Sequence, residues 1–442
     1  MTVKNKSFWL SKSYEGFDAL DDDIETEVAI IGGGITGVSA AHHLDEENVD
    51  FVLLEKGKLA GGATGHSMGG LVPGIEQEDI WQSMKKYGEV RTKVIWKASS
   101  KAIDEIVGLC KGGINCDLMT GSAFDLVQEK SELGFLAMES EAAARCGIGT
   151  RVLDREGIRG NLAVGDSVIG ALEYTKCAQV NPAALVNGLA MKLKKPKTSI
   201  FEHTKANGIE NLDKGFMIRT KEGSVKAKKL IIATESYTPR LGFLKNVMTS
   251  IRINVIATER LDDYSIAKLG LKNRMAWNFG RDYNFIRTTA DNRVIIDGGD
   301  SLSAAHGHVP QQKRIDEIWS RLMHLFPMMA NSSIEFEWSG RMAAMMKRVP
   351  LFNELIRSVT ELIDIRLNLP FVEQIGMHMT SMPFLGYTGE NPDIFCSAGY
   401  IGHGLPLGFL GGKVLSQMAT GNLTEESRML LKAYNPKIKL YS

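Results

Sequence analysis

The chain has 442 residues, with 52 Lys+Arg balanced by 52 Asp+Glu, 44% hydrophobic and 24% charged residues. This length and composition describe a folded chain with a large core and exclude disordered, collagenous and coiled-coil classes. Zero net charge argues against global attraction to nucleic acid or to an anionic membrane.

The five cysteines include no CxxC pair. An odd count in a long chain points to free thiols in a reducing compartment. The N-terminus lacks the apolar segment of a secretory signal, and the longest apolar stretch, Val28 to Ala41, is too short to span a bilayer. The reading is cytoplasmic, with no integral membrane segment.

Residues 1–25 read as an irregular lead, with Trp9 and Tyr14 anchoring it on the surface. Thr26–Ile31 has the continuous apolar, β-branched character of a buried parallel strand. The residues from Val38 onward have helical composition, and Val49–Glu55 reads as the next strand, which completes a βαβ unit. Residues 76–111 look helical. Asn181 followed by Pro182 opens a helix through KLKK, with proline in its first turn. Residues 199–232 and 250–299 read as strands, Gln311–Pro327 as a helix, and a further helix starts after Gly404.

Gly32-x-Gly34-x-x-Gly37 joins the first strand to the first helix. Gly32 permits the tight turn, Gly34 lets the backbone approach a pyrophosphate, and Gly37 lets helix and strand pack closely. The helix N-terminus, which includes Ile35 and Thr36, presents free N–H groups to the phosphates. Glu55 ends the second strand, where a carboxylate accepts from ribose hydroxyls and disfavours a 2′-phosphate. A second glycine-rich loop, Lys58 to Gly74, follows directly. A third, Gly399–Gly404, precedes the last helix. Two cofactor-approach loops at opposite ends of the chain suit an extended FAD. No metal site, Ser/His/Asp constellation or P-loop stands out; His306 and His308 lack accompanying ligands.

The sequence resembles the FAD-dependent D-amino-acid oxidase superfamily, in its glycine oxidase, sarcosine oxidase and γ-glutamylputrescine oxidase-like branch. The resemblance rests on VAIIGGGITGVSAAHHL, LLEKGKLAGGATG, SMGG, AQVNPAALVNGLA, KLIIATESYTPRLG, NVIATERL, FIRTTADNRVIIDGG, WSGR and GYIGHG, and so covers most of the chain. It implies an α/β fold (α+β overall): a Rossmann-like FAD-binding domain interleaved with a substrate domain built on a mostly antiparallel sheet. The first domain would comprise 26–85, 175–245 and 385–430, and the second 86–174 and 246–384. The implied activity is FAD-dependent oxidation of a C–N bond in an amine or amino acid by hydride transfer to flavin N5, giving an imine that hydrolyses. The acceptor would be oxygen or another electron acceptor. Rival readings are a dehydrogenase using a quinone or an electron-transfer protein, and a non-catalytic FAD-binding subunit. An oligomer is compatible with either.

Carried onto this chain, the resemblance places Gly32, Gly34, Ile35, Thr36 and Gly37 at the pyrophosphate and Glu55 with Lys56 at the ribose. Gly62, Ala63 and Thr64 would approach the pyrophosphate and ribityl chain. His66, Met68 and Gly69 follow in the same loop, Ala206 holds the adenine-contacting position, and Ala233 with Thr234 passes the dinucleotide. Gly402, His403 and Gly404 would lie near the flavin ring. No catalytic residue is assigned.

Three departures stand out. His66 matches the spacing of a histidine that bonds covalently to flavin in some relatives, but Gly65 replaces the tryptophan before it; non-covalent FAD is the favoured reading. Trp338-Ser-Gly-Arg341-Met342 carries Met where glycine-oxidase-like members place a carboxylate-binding Arg, and a one-residue shift turns a strand side chain to the other face. Arg348-x-Pro350 instead resembles the γ-glutamylputrescine oxidase pattern. Trp338, Arg341, Arg348 and His403 are therefore the substrate-proximal candidates, and the pattern favours an amine. Finally, spacing implies an insertion near 351–380 with an amphipathic start, and nine of the 20 methionines lie between Met323 and Met382, which suggests an adaptable apolar pocket or core filling there.

Overall fold

The computed structural model describes residues 3–12, 14–75, 79–195, 199–278, 283–302, 312–346, 365–366, 379–380, 382–389 and 391–435. Arg348 and most of the 351–380 insertion lie outside them.

The apolar runs read as parallel strands form one sheet. Ile24–Ile31 sits between Phe51–Leu54 and Ser224–Ile232, parallel to both. Ile394–Ala398 continues the sheet beyond Ser224–Ile232 in parallel, and Ile200–Phe201 flanks Phe51–Leu54. Where these strands are covered on both faces, as at residues 28–31 and Phe51–Leu54, they are apolar without a period, whereas residues 24–27 and the segment of Lys226 and Lys228 still alternate toward solvent. Ala29, Ile30, Leu53, Ile231 and Ile232 are all fully buried.

The second sheet is mostly antiparallel. Met248–Thr258 lies between Val294–Leu302 and Ile334–Met346. The sheet then runs through Asn284–Thr288, Met275–Asn278, Met119–Val127 and Gly170–Gln179. The chain enters this sheet early, because Gly70–Leu71 pairs with Gly170–Gln179 and Lys4–Asn5 pairs with Ile334–Met346.

The largest core cluster joins Ile30 of the first sheet and Val38 of the helix Ile35–Glu46 to Trp338 and Val255 of the second sheet. A smaller cluster packs the helix Gln312–Leu325 on the outer face of the antiparallel sheet, through Ile315, Ile318 and Leu322 against Ile286 and Ile296. Among the described residues no helix is long and apolar enough to cross a membrane.

Several local expectations need adjustment. The 76–111 segment is two helices, Ile80–Tyr87 and Glu89–Lys111, broken at Gly88 with φ of 87°. The helix opened by Asn181 does form, with the Asn181 side chain accepting from Ala184 N at 3.1 Å, but it stops at Met191 rather than running through the lysines. The lead segment is not a surface tether. Trp9 is 3% exposed, its Nε1 donates to Ser67 O, and Ser7 Oγ donates to Gly65 O. The lead therefore buttresses the second glycine-rich loop from behind.

The helix Ile35–Glu46 crosses the helix Gly404–Thr420 at a stripe of small residues. A Cβ on Gly412 would fall 2.7 Å from both Ala40 N and Ser39 Cβ. Gly412→Ala should destabilise the protein by about 1–3 kcal/mol, as overpacking of a rigid contact does. Gly108→Ala, in a helix with open space around the added methyl, should be neutral or stabilising by up to about 1 kcal/mol. Urea unfolding of the two variants checks the contrast.

Candidate functional site: a dinucleotide cavity between the sheets

A cavity of about 700 Å³ lies between the two sheets, with Glu55 and Ala206 lining it beside the parallel sheet and Phe285 and Asp297 lining it from the antiparallel sheet. Two helix N-termini open onto it, at Ile35 and at Gly404, and neither helix has an acidic residue in its first turn. Each end therefore turns backbone N–H groups and a positive dipole toward an anion.

The fingerprint glycines act as the spacing requires. Gly32 has φ of 112° and a Cβ there would collide with Ala233 O, while a Cβ on Gly37 would collide with Gly32 O. Gly32, Gly34, Ile35 and Thr36 line the cavity; Gly37 packs behind them. A Cβ on Gly62 or Gly404 would meet no protein atom within 4 Å. At these two lining glycines the protein leaves room for a group that is not its own. The glycines, the helix ends and the carboxylate at the ribose position together fit FAD.

Glu55 lines the cavity and accepts from Gly33 N and Gly57 N, both at 2.8 Å, so its carboxylate is aimed by the turn it follows. Burial raises its pKa, partly offset by those two backbone N–H groups. Lys56, Gly62, Ala63, Thr64, His66, Met68, Gly69, Ala206, Ala233, Thr234, Gly402, His403 and Gly404 also line the cavity. Thr64 Oγ1 accepts from Ile35 N at 3.1 Å, which ties the second loop to the first helix. His66 is buried and hydrogen-bonds Gly62 O through Nδ1 at 2.8 Å.

The four substrate candidates fare differently. His403 precedes the helix Gly404–Thr420 and faces the cavity, where the turn before it places Ile401 and Gly402 at φ of 32° and 77°. Arg341 borders the cavity and is 5% exposed, and the adjacent Met342 borders it too. Trp338 stands behind the wall: it is fully buried and donates from Nε1 to His66 O at 3.1 Å. Arg348 lies outside the described residues.

Other lining residues carry no motif. Asp79 and Gln82 reach the cavity from the helix Ile80–Tyr87 and its N-cap. Tyr283, Phe285, Asp297 and Asp300 reach it from the antiparallel sheet. Asp297 Oδ1 accepts from Phe285 N at 2.7 Å. Asp297 and Asp300 both fall in the segment IIDGGD, and the pair of carboxylates around its glycines is the signal that sequence reasoning missed.

Glu235 is the other omission. It follows Ala233 and Thr234, adopts φ of 47° and lines the cavity. Its carboxylate faces the N–H groups of Ala343, Gly399 and Tyr400 at 3.3–3.5 Å. One side chain thus links the antiparallel sheet to the C-terminal glycine loop. A non-glycine residue in the left-handed region costs free energy, and such strain concentrates at functional sites.

Burial pushes the Glu235 pKa up to about 7 from 4.5. The folded state then holds a proton that the unfolded state has lost, so stability falls as pH rises from 4.5 to 7. A tenfold difference in proton affinity between the two states corresponds to about 1.4 kcal/mol. Glu235→Gln in the apoprotein should flatten this fall by about 3 kcal/mol between pH 4.5 and 7.5, as read by urea unfolding at the two pH values.

Comparison with known proteins agrees with this geometry. Residues 27–418 match the family model described as DAO, FAD dependent oxidoreductase. The gamma-glutamylputrescine oxidoreductase of Escherichia coli is 26% identical over 431 residues, spanning 96% of this chain and 90% of the relative. A glycine oxidase of Bacillus subtilis is 22% identical over 321 residues, 71% of this chain and 80% of the relative. Among solved structures, glycine oxidase from Geobacillus kaustophilus superposes with a TM-score of 0.70 at 17% identity, covering 91% of this chain and 96% of the other. L-proline dehydrogenase from P. horikoshii superposes at 0.71 and 18% identity, covering 93% and 97%.

Proposed function

The chain belongs to the DAO family of FAD-dependent oxidoreductases, and we propose that it oxidises the C–N bond of a cationic amine rather than an α-amino acid. FAD supplies the chemistry by taking a hydride from the carbon bearing nitrogen; the resulting imine hydrolyses in water. The protein's own part is to bind, orient and desolvate.

One observation carries the choice of substrate. Among the described residues, the wall we assign to the substrate carries the carboxylates Asp79, Asp297 and Asp300 together with the guanidinium of Arg341. A wall of that sign raises the local concentration of ammonium ions and repels carboxylates. The relative named gamma-glutamylputrescine oxidoreductase, and Met342 where glycine-oxidase-like members place a carboxylate-binding Arg, support the same reading.

Burial raises Asp79 to about 6. Above that pH it is ionised and stands as an acceptor for an ammonium proton. A neutral amine is the reactive form, because only it has a lone pair to assist hydride departure. Asp79 and the wall carboxylates thus hold the cation, and Tyr283 and Phe285 supply apolar surface beside them.

Anaerobic mixing of the purified flavoprotein with amines and with amino acids, read as loss of flavin absorbance, is the direct test. Rapid bleaching by an amine and none by α-amino acids is expected; bleaching only by amino acids sinks the proposal. Opening the same sample to air identifies the acceptor class, since immediate reoxidation marks an oxidase and slow reoxidation a dehydrogenase. Asp297→Asn should raise KM for the amine about tenfold with a smaller change in kcat, because a ground-state charge partner is lost.

FAD is held here without a covalent bond. Acid precipitation should leave all yellow colour in the supernatant; a yellow pellet that His66→Ala bleaches would show the opposite.

A further inference from the structure

Arg287 is fully buried on the strand Asn284–Thr288, and nothing in the proposed function uses it. Its Nη1 donates to three backbone carbonyls, Met68 O, Gly69 O and Val180 O, each at 2.9 Å. Its Nε donates to Thr288 O at 3.2 Å, and its Nη2 has no partner among the described residues. Its guanidinium carbon lies 5.1 Å from the centre of the Trp9 ring. Among the described residues no carboxylate pairs with it.

A buried cation without a counter-ion is costly, and three carbonyls and an aromatic face compensate only part of its lost hydration. Carbonyl contacts alone would be met by a neutral donor at lower cost. The charge therefore calls for a reason beyond packing.

Its location supplies one. Glu55 and Ala206 mark the adenosine end of the cavity, and the helix N-terminus at Ile35 marks the pyrophosphate. The redox ring must lie further along, where the loop reaches the antiparallel sheet at Met68, Gly69 and Gly70. Arg287 stands directly behind those residues.

A neutral amine that gives up a hydride would become an iminium cation, which loses a proton to water as the imine forms, while bound FAD would gain two electrons and one negative charge. A fixed positive charge in a site of low dielectric stabilises that product without reorganising. We propose that Arg287 is a positioning residue that clamps the Met68–Gly69 loop and, through its unpaired charge, raises the reduction potential of the bound FAD. The proposal rests on FAD filling this cavity and is independent of which amine is oxidised.

The test is the potential of the FAD-loaded protein, by equilibration with reference dyes, together with FAD affinity of the apoprotein. Arg287→Met should shift the reduction equilibrium at least tenfold toward the oxidised form, about 30 mV for a two-electron couple. Arg287→Lys keeps the charge but not the fork that reaches several carbonyls, so it should restore most of the potential while FAD affinity stays weakened. If the Met variant does not fold, Trp9→Glu against Trp9→Gln isolates the charge, and the Glu form should have the lower potential. Equal potentials across either pair, with FAD bound, overturn the proposal. Failure of the wild type to bind FAD would instead overturn the cofactor assignment.

Discussion

A pyrophosphate can be held by bare backbone only where no side chain intervenes, and this requirement organises the molecule. At Gly32 and Gly37 the first strand, the first helix and the loop at Ala233 approach so closely that a methyl group would collide with a carbonyl oxygen. At Gly412 the last long helix meets the first under the same restriction. The parallel sheet, the two helix ends and the second glycine loop are arranged around that approach. The substrate side is then attached through the wall that the loop continues into.

The sequence was most legible where backbone geometry restricts residue choice. The strand–glycine–helix unit, Glu55, and the far glycine loop at Gly402–Gly404 could be read as parts of one cofactor site, because few residue types are tolerated there. The antiparallel sheet was legible only in outline, since its strands are paired across long separations, as Lys4–Asn5 is with Ile334–Met346. Register of that kind is decided by tertiary packing rather than by local pattern. Trp9 reads as a surface residue because it lies in an irregular lead with no strand or helix period, yet its indole is buried against the second glycine loop.

The missed site residues share a cause. Asp79 and Glu235 are ordinary acidic residues in sequence, and only Asp297 and Asp300, around the glycines of IIDGGD, carry a spacing that marks them. They acquire meaning through desolvation and convergence: Asp79 and Glu235 titrate high because burial penalises their charge. Arg287 shows the same principle with opposite sign, since burial lowers its pKa to about 9. The neutral total charge of the chain thus conceals a cavity lined by several acids, with a buried cation behind the loop.

The order of the chain has a consequence for how the enzyme is made. The glycine fingerprint is synthesised more than three hundred residues before the strand Ile394–Ala398 of the parallel sheet and the helix that begins at Gly404. Until then the cavity lacks a wall and the contact stripe on the first helix has no cover. A complete cradle therefore requires residues 394–420, and a nascent chain stalled before residue 394 lacks one wall of the cavity.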